Sequence, residues 1–174
     1  MTADNPSSIF ALALDGAGPS VVGGGGGPVA GGTRIIARYN PDGSADTSFG
    51  SSGKVTTADV NVAALAIDSA GRIVAAGYAG VSPNVDFAAA RYNGDGSPDA
   101  TFGVNGSVIT SFAITQTHSM GSALALDTMG RIVVAGTAGP LCGPWCGDNN
   151  FAVVRYLGGP LPPVVNTYLP LILR

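Results

Sequence analysis

Glutamate is absent from this chain, and lysine and histidine occur once each, as Lys54 and His118. Only 11% of the 174 residues are charged, against roughly 25% in an average soluble domain. Each scarcity excludes something. Without glutamate the commonest general acid is missing, and every aspartate is accounted for by a turn or a repeat position, so no acidic pair for glycosidase chemistry can be assembled. One lysine, seven arginines spread singly and a net charge of −3 argue against nucleic acid, whose phosphates call for clustered cations. His118 has no serine or cysteine beside it in a recognisable motif and reads as a loop residue. No catalytic residue is expected.

Long apolar runs are missing too. Tyr168 to Leu173 is the longest candidate and contains Pro170, far short of the ~18 residues that span a bilayer; no transmembrane segment is expected. The start, Met1-Thr-Ala-Asp-Asn-Pro6, has neither a basic nor an apolar signal region, which implies a cytosolic protein or a true start lying upstream. Cysteine is limited to Cys142 and Cys146. One local pair is not a disulfide framework.

What the chain has is glycine, alanine and repetition. Ala11-Leu-Ala-Leu-Asp15 returns as Ala64-Leu-Ala-Ile-Asp68 and Ala123-Leu-Ala-Leu-Asp127, the aspartates 53 and 59 residues apart. Gly71-Arg-Ile-Val-Ala-Ala-Gly77 returns as Gly130-Arg-Ile-Val-Val-Ala-Gly136, with Gly18-Pro-Ser-Val-Val-Gly-Gly24 as a degenerate first copy. Ile36-Ala-Arg-Tyr39 matches Ala89-Ala-Arg-Tyr92 and Val153-Val-Arg-Tyr156. Asn40-Pro-Asp-Gly-Ser-Ala-Asp-Thr-Ser-Phe-Gly50 matches Asn93-Gly-Asp-Gly-Ser-Pro-Asp-Ala-Thr-Phe-Gly103, and the third copy lacks it.

Each unit holds four short runs of strand character. In the second unit these are Ala63 to Asp68, Arg72 to Gly77, Asp86 to Tyr92 and Gly106 to Phe112. Gly71 permits a hairpin between the first two. In the third run Phe87, Ala89 and Arg91 share one face and Ala88, Ala90 and Tyr92 the other. No long helical period occurs, and the glycine spacing would weaken any helix. Four antiparallel strands repeating every ~40–60 residues are the signature of a propeller blade. Alanine is a poor strand former alone, so stability must come from packing between blades.

The combined pattern of an aspartate, Gly-Arg-Ile-Val-x-Ala-Gly, Phe-x-x-x-Arg-Tyr-Asn, Asp-Gly-Ser-x-Asp and Phe-Gly-x-x-Gly resembles the Delta-60 repeat over about 150 residues of this chain. The resemblance implies a propeller-like tandem array on a bacterial surface or secreted protein, without catalytic residues. Copy one departs from it in the glycine run Gly23 to Gly27, and copy three in lacking the Asp-Gly-Ser turn.

The expected fold is therefore all-β, a β-propeller-like array of three four-stranded antiparallel blades, incomplete or open. Its parts are an N-terminal tail (1–8), repeats at about 11–63, 64–122 and 123–157, and a Pro-rich tail (158–174). Nothing before Ile9 supplies the strand that Lys54 to Thr57 places before Ala64, so the chain is expected to open inside a unit. Closed propellers have about 4–8 blades. Three explanations stay open: a fragment of a longer array, which is favoured; two chains forming a six-bladed ring; or an open arc with exposed edges. The tail reads as a stiff linker followed by a surface-protein ending or a final edge strand.

Several residues carry two readings. Asn40, Asp42, Ser44 and Asp46, and again Asn93, Asp95, Ser97 and Asp99, offer oxygens at alternate positions, as calcium requires. Asp42, Asp46, Asp95 and Asp99 are its candidate ligands. The same residues stabilise turns unaided, which is favoured; the Ser-x-Asp-x-Ser/Thr-Phe-Gly part also resembles the structural Asp-box hairpin of sialidase propellers. Arg38, Arg91 and Arg155 share one repeat position, fit either for gripping an anion or for a repeated ion pair, with Asp15, Asp68 and Asp127 as partners. Recurrence in every copy favours the ion pair. Cys142-Gly-Pro-Trp-Cys146 has the wrong spacing for a Cys-x-x-Cys redox site and too few ligands for zinc. It is read as a disulfide-closed loop, stabilising by about 2 kcal/mol in an oxidising compartment. Trp145 at its tip is a contact for a ligand, or packs on the blade. The expected function is a non-catalytic structural or binding module, extracellular or at the cell surface, with a glycan, a protein or a further copy as partner. The alternative is part of a propeller hydrolase or lyase acting on glycans.

Overall fold

In the computed structural model the described residues are 8–16, 18–26, 33–57, 60–81, 84–112, 118–139, 150–157 and 171–173. Their strands form three separate four-stranded sheets. Sheet 1 contains β1 (Ser8–Leu14), β2 (Ser20–Gly26), β3 (Thr33–Tyr39) and β4 (Lys54–Thr56). Sheet 2 contains β5 (Asn61–Ile67), β6 (Ile73–Val81), β7 (Asn84–Tyr92) and β8 (Ser107–Thr110), and sheet 3 β9 (Met120–Leu126), β10 (Ile132–Ala138), β11 (Asn150–Tyr156) and β12 (Leu171–Leu173). Each sheet is an antiparallel meander in chain order, the blade arrangement that the repeat predicts.

One expectation is corrected. Lys54–Thr56 pairs with β3 and closes sheet 1, so it does not open the second unit, and no strand ahead of Ile9 is required. The same holds for β8, which closes sheet 2 on β7. A strand needs a partner within reach of a short connection, and the Asp-Gly turn returns β4 to β3 directly. The tail contributes Leu171–Leu173 as an edge strand on β11; Val164 to Tyr168, the other run of the tail with strand character, lies outside the described residues.

Strand parity sets the packing. On β6 and β7, Val74, Ala76, Phe87 and Ala89 point to one side, here called the front, and join one core cluster with Ile132, Val134, Ala152, Val154 and Tyr156 of sheet 3. Ile73, Ala75, Ala88, Ala90 and Tyr92 point to the back and join a second cluster with Val21, Ile36 and Phe49 of sheet 1. Sheet 2 is thus buried on both faces, which explains its nearly unbroken apolar sequence. The front of sheet 1 meets the back of sheet 2, and the front of sheet 2 meets the back of sheet 3, through equivalent repeat positions. Tyr156 spans the second junction, its hydroxyl 2.9 Å from Thr110 Oγ1, and the Phe87 and Phe112 rings meet edge to face at 5.2 Å.

A bulge recurs in the first strand of every sheet. The register slips between Ile9 and Ala11, between Val62 and Ala64, and opposite Ala135 and Gly136. Phe10, Ala63 and Ser122 are the extra residues, each five positions before the repeat aspartate. The bulge drives the backbone carbonyl of Ser8, Asn61 or Met120 towards Gly24, Gly77 or Gly136, and a Cβ there would lie 2.1, 1.8 or 2.0 Å from that oxygen. The last glycine of Gly-Arg-Ile-Val-x-Ala-Gly is therefore compulsory for steric reasons. Gly77→Ala should lower stability by about 1–3 kcal/mol or more, measured as the shift in urea midpoint at constant slope; an unchanged midpoint would show that the bulge is not formed.

Candidate functional site

Two ends of the stack carry polar chemistry. At one end lie the β1–β2, β5–β6 and β9–β10 hairpins with the Asp-Gly turns; at the other lie the bulges.

The hairpin aspartates clamp their own turns. Asp68 Oδ1 accepts from the backbone N–H of Ala70 and Arg72 at 2.9 Å, and Oδ2 from Arg72 Nε at 2.7 Å. Asp127 takes the same bonds from Met129 and Arg131. In the first copy Pro19 replaces the arginine, and the backbone turn is kept, the Asp15 N–H donating to the Pro19 carbonyl at 2.9 Å.

These pairings correct the partner assigned to the repeated arginine. Arg38 and Arg91 do not reach Asp15, Asp68 or Asp127. Arg38 Nε donates to Asp46 Oδ2 and Arg91 Nε to Asp99 Oδ2, both at 2.8 Å. Each guanidinium also lies over the phenylalanine of its own turn, 4.8 Å from the Phe49 centroid and 4.9 Å from that of Phe102. An extended Arg-Tyr-Asn followed by a tight turn brings a residue eight positions on back beside the arginine, closer than any hairpin aspartate. The third copy lacks the turn, and Arg155 is exposed on β11.

The four aspartates considered as calcium ligands occupy Asx turns. Asp42 and Asp95 accept from the N–H and hydroxyl of Ser44 and Ser97. Asp46 and Asp99 do so from Ser48 and Thr101 while holding their arginines. Among the described residues no three His, Cys, Asp or Glu side chains come together as a metal group, and these contacts support the turn reading. Cys142, Trp145 and Cys146 lie outside the described residues. The backbone of His118, at the entry to β9, donates to the Gly139 carbonyl.

Burial separates the two copies of the ion pair. Arg91 and Asp99 side chains are 1% and 7% exposed, Arg38 and Asp46 14% and 15%. Arg91→Leu removes the nearer of two cations from the buried Asp99 carboxylate and leaves it the Arg72 guanidinium at 3.5 Å, which should destabilise by about 3 kcal/mol, whereas Arg38→Leu, with Asp46 still reached by water, should lose clearly less. Equal losses in chemical denaturation would contradict this ranking. Serine bonds hold Asp42, Asp46 and Asp95 below the ordinary carboxylate range, and the Arg131 backbone N–H does the same for Asp127. Burial pushes Asp99 up, but Thr101 and Arg91 outweigh it and its pKa is also lowered. Groups whose pKa is depressed in the folded state stabilise it above the unfolded value of about 4, and this is lost as pH falls through the folded pKa. The melting temperature should therefore hold from pH 7 to 5 and fall below pH 4; a flat profile down to pH 2.5 would refute these bonds.

At the opposite end a cleft of about 390 Å³ is lined by Phe10, Gly24, Gly25, Arg34, Asn61, Val62, Ala63, Tyr78 and Met120. The bulges build it. Phe10 and Ala63 are themselves bulge residues, and Phe10 is turned outwards, 67% exposed. Arg34 Nε donates to Asn61 Oδ1, and Asn61 Nδ2 donates to the Tyr78 carbonyl at 3.2 Å. Arg34 stands where the other repeats have Phe87 and Phe151. No carboxylate among the described residues pairs with it. Sequence reasoning passed over Arg34 because it followed what the copies share; the signal was a residue that breaks the repeat, a cation at a core phenylalanine position.

Three meandering sheets stacked by equivalent faces define a β-propeller-type repeat protein. Residues 21–49 and 71–102 match a beta-propeller domain family of unknown function, DUF5122. The two stretches cover the same portion of repeats one and two and contain both buried or half-buried Arg–Asp pairs. No curated protein and no solved structure shows a significant match.

Proposed function

We propose that this chain is a non-catalytic binding module of a cell-surface or secreted protein, and that its cleft holds a glycan bearing a carboxylate. The observation that carries the reading is Arg34. A guanidinium on a cleft wall, with no carboxylate beside it among the described residues, suits the carboxylate of an acidic sugar, which it can grip by two parallel bonds. Phe10 offers an exposed ring for the apolar face of a sugar, and Asn61 adds an amide for hydroxyl groups. The described lining includes no carboxylate and no imidazole, and binding rather than glycoside cleavage is the reading it supports. The surface or secreted setting rests on the resemblance to Delta-60 arrays.

Calorimetric titration with uronic-acid oligosaccharides and with neutral oligosaccharides of equal length tests the proposal. The acidic ligand should bind and the neutral one should not. Arg34→Ala should weaken binding about tenfold or more, as the loss of a charge-assisted bond implies, with the melting temperature near that of the parent chain. Equal heats for both sugars, or an unaffected Arg34→Ala, would overturn it.

A further inference from the structure

Arg34 is not alone in breaking the repeat. The positions equivalent to Arg34 and Asn61 one blade further on hold Phe87 and Met120, both apolar. Between sheets 1 and 2 both are polar and the two side chains meet, Arg34 Nε donating to Asn61 Oδ1. Asn61 is a rigid mount. It is the direct cross-strand partner of Tyr78, and its Nδ2 donates to the Tyr78 carbonyl at 3.2 Å. A carbonyl can only accept, so the amide nitrogen faces Tyr78 and the amide oxygen is left to face Arg34. The bulge at Ala63 fixes the backbone as well, holding the Asn61 carbonyl where a Cβ on Gly77 would lie 1.8 Å from it. The choice of an amide stands out among the arginines. Arg38, Arg72, Arg91 and Arg131 each pair with an aspartate, whereas Arg34 is held by a neutral group, which leaves its charge unspent.

We infer that Asn61 is a positioning residue for Arg34: by taking the Nε–H it presents the terminal Nη1–Nη2 edge of the guanidinium to the cleft, and a ligand carboxylate is gripped end-on by that edge. The inference rests on the reading of the cleft as a site for a carboxylate-bearing glycan, and adds which edge of the cation binds and why its neighbour is an amide. A guanidinium can make two parallel bonds to a carboxylate through Nε and one Nη, or through both Nη. Asn61 removes the first choice. Its neutrality matters equally. A carboxylate at position 61 would neutralise Arg34 from within the protein, as Asp46 and Asp99 neutralise Arg38 and Arg91, and would repel an anionic ligand.

The ligand-free chain gives the first readout. In a proton–nitrogen correlation spectrum the Arg34 Nε–H, assigned by its loss in Arg34→Lys, should be sharp and slow to exchange with water. In Asn61→Ala it should broaden through exchange while the backbone amide pattern is kept. Calorimetric titration with a uronic-acid oligosaccharide gives the second. Asn61→Ala should bind about two- to tenfold more weakly than the parent chain, the worth of one hydrogen bond. Asn61→Asp should give no measurable heat at concentrations where Asn61→Ala still binds. A role in folding alone would make both variants lose binding in step with their melting temperatures; the inference predicts the order parent, alanine, aspartate whatever those temperatures are. A parent Nε–H that exchanges as fast as that of Asn61→Ala would overturn the inference, and so would Asn61→Asp binding as tightly as Asn61→Ala. A parent chain with a protected Nε–H that does not bind the oligosaccharide would overturn the glycan reading while upholding Asn61 as the residue that positions Arg34. Should Asn61→Asp fail to fold, the Nε–H comparison between the parent and Asn61→Ala decides alone.

Discussion

Close approach of sheet to sheet is the constraint on which this structure depends. A Cβ added to Gly23 of sheet 1 would lie 2.6 Å from Val62 Cγ1 of sheet 2, and one added to Gly121 of sheet 3 would lie 2.8 Å from the Gly77 carbonyl oxygen of sheet 2. Packing at that distance leaves no room for a side chain at Gly23 or Gly121, and the junctions are filled by alanine, valine and isoleucine together with phenylalanine and tyrosine. The composition follows: small residues in the strands and few charges, because nearly every strand faces another sheet. Such sheets are poor structures singly. Their stability is a sum over junctions.

The same constraint shapes the polar groups. Two of the strand arginines are neutralised within their own blade. Arg91 folds onto Asp99 and Phe102, and Arg38 makes the same arrangement where less protein covers it. A buried carboxylate with fixed donors is intolerant of losing one partner, so the pair supplies registry between strand and turn more than net stability. Arg38 adds a bond to the neighbouring blade, which couples the turn geometry to the stack.

Much of this was legible in the repeat. The alternation of Phe87, Ala89 and Arg91 with Ala88, Ala90 and Tyr92 gave the two faces of β7, and Gly71 gave the hairpin, with φ of +74° there and +72° at Gly130. Three things were not. The partner of Arg91 depends on where a turn returns the chain, which spacing alone leaves open between Asp68 and Asp99. The bulge at Ala63 breaks the period of two for a single residue, too briefly to register as a pattern. The chain was expected to open inside a unit because Lys54–Thr56 precedes Ala64 in sequence, yet it pairs backwards with β3. Arg34 was hidden for the opposite reason: a repeat analysis averages over copies, and the cleft is built on a residue that only one copy has.

Methyl-resolved nuclear Overhauser spectroscopy tests the front-to-back stack most directly. The account predicts strong cross-peaks from the Val62 γ-methyl to the α-protons of Gly23, and from the Tyr156 ring to the Thr110 methyl. Cross-peaks that instead joined β1 to β9, or an absence of any contact between Val62 and Gly23, would contradict it.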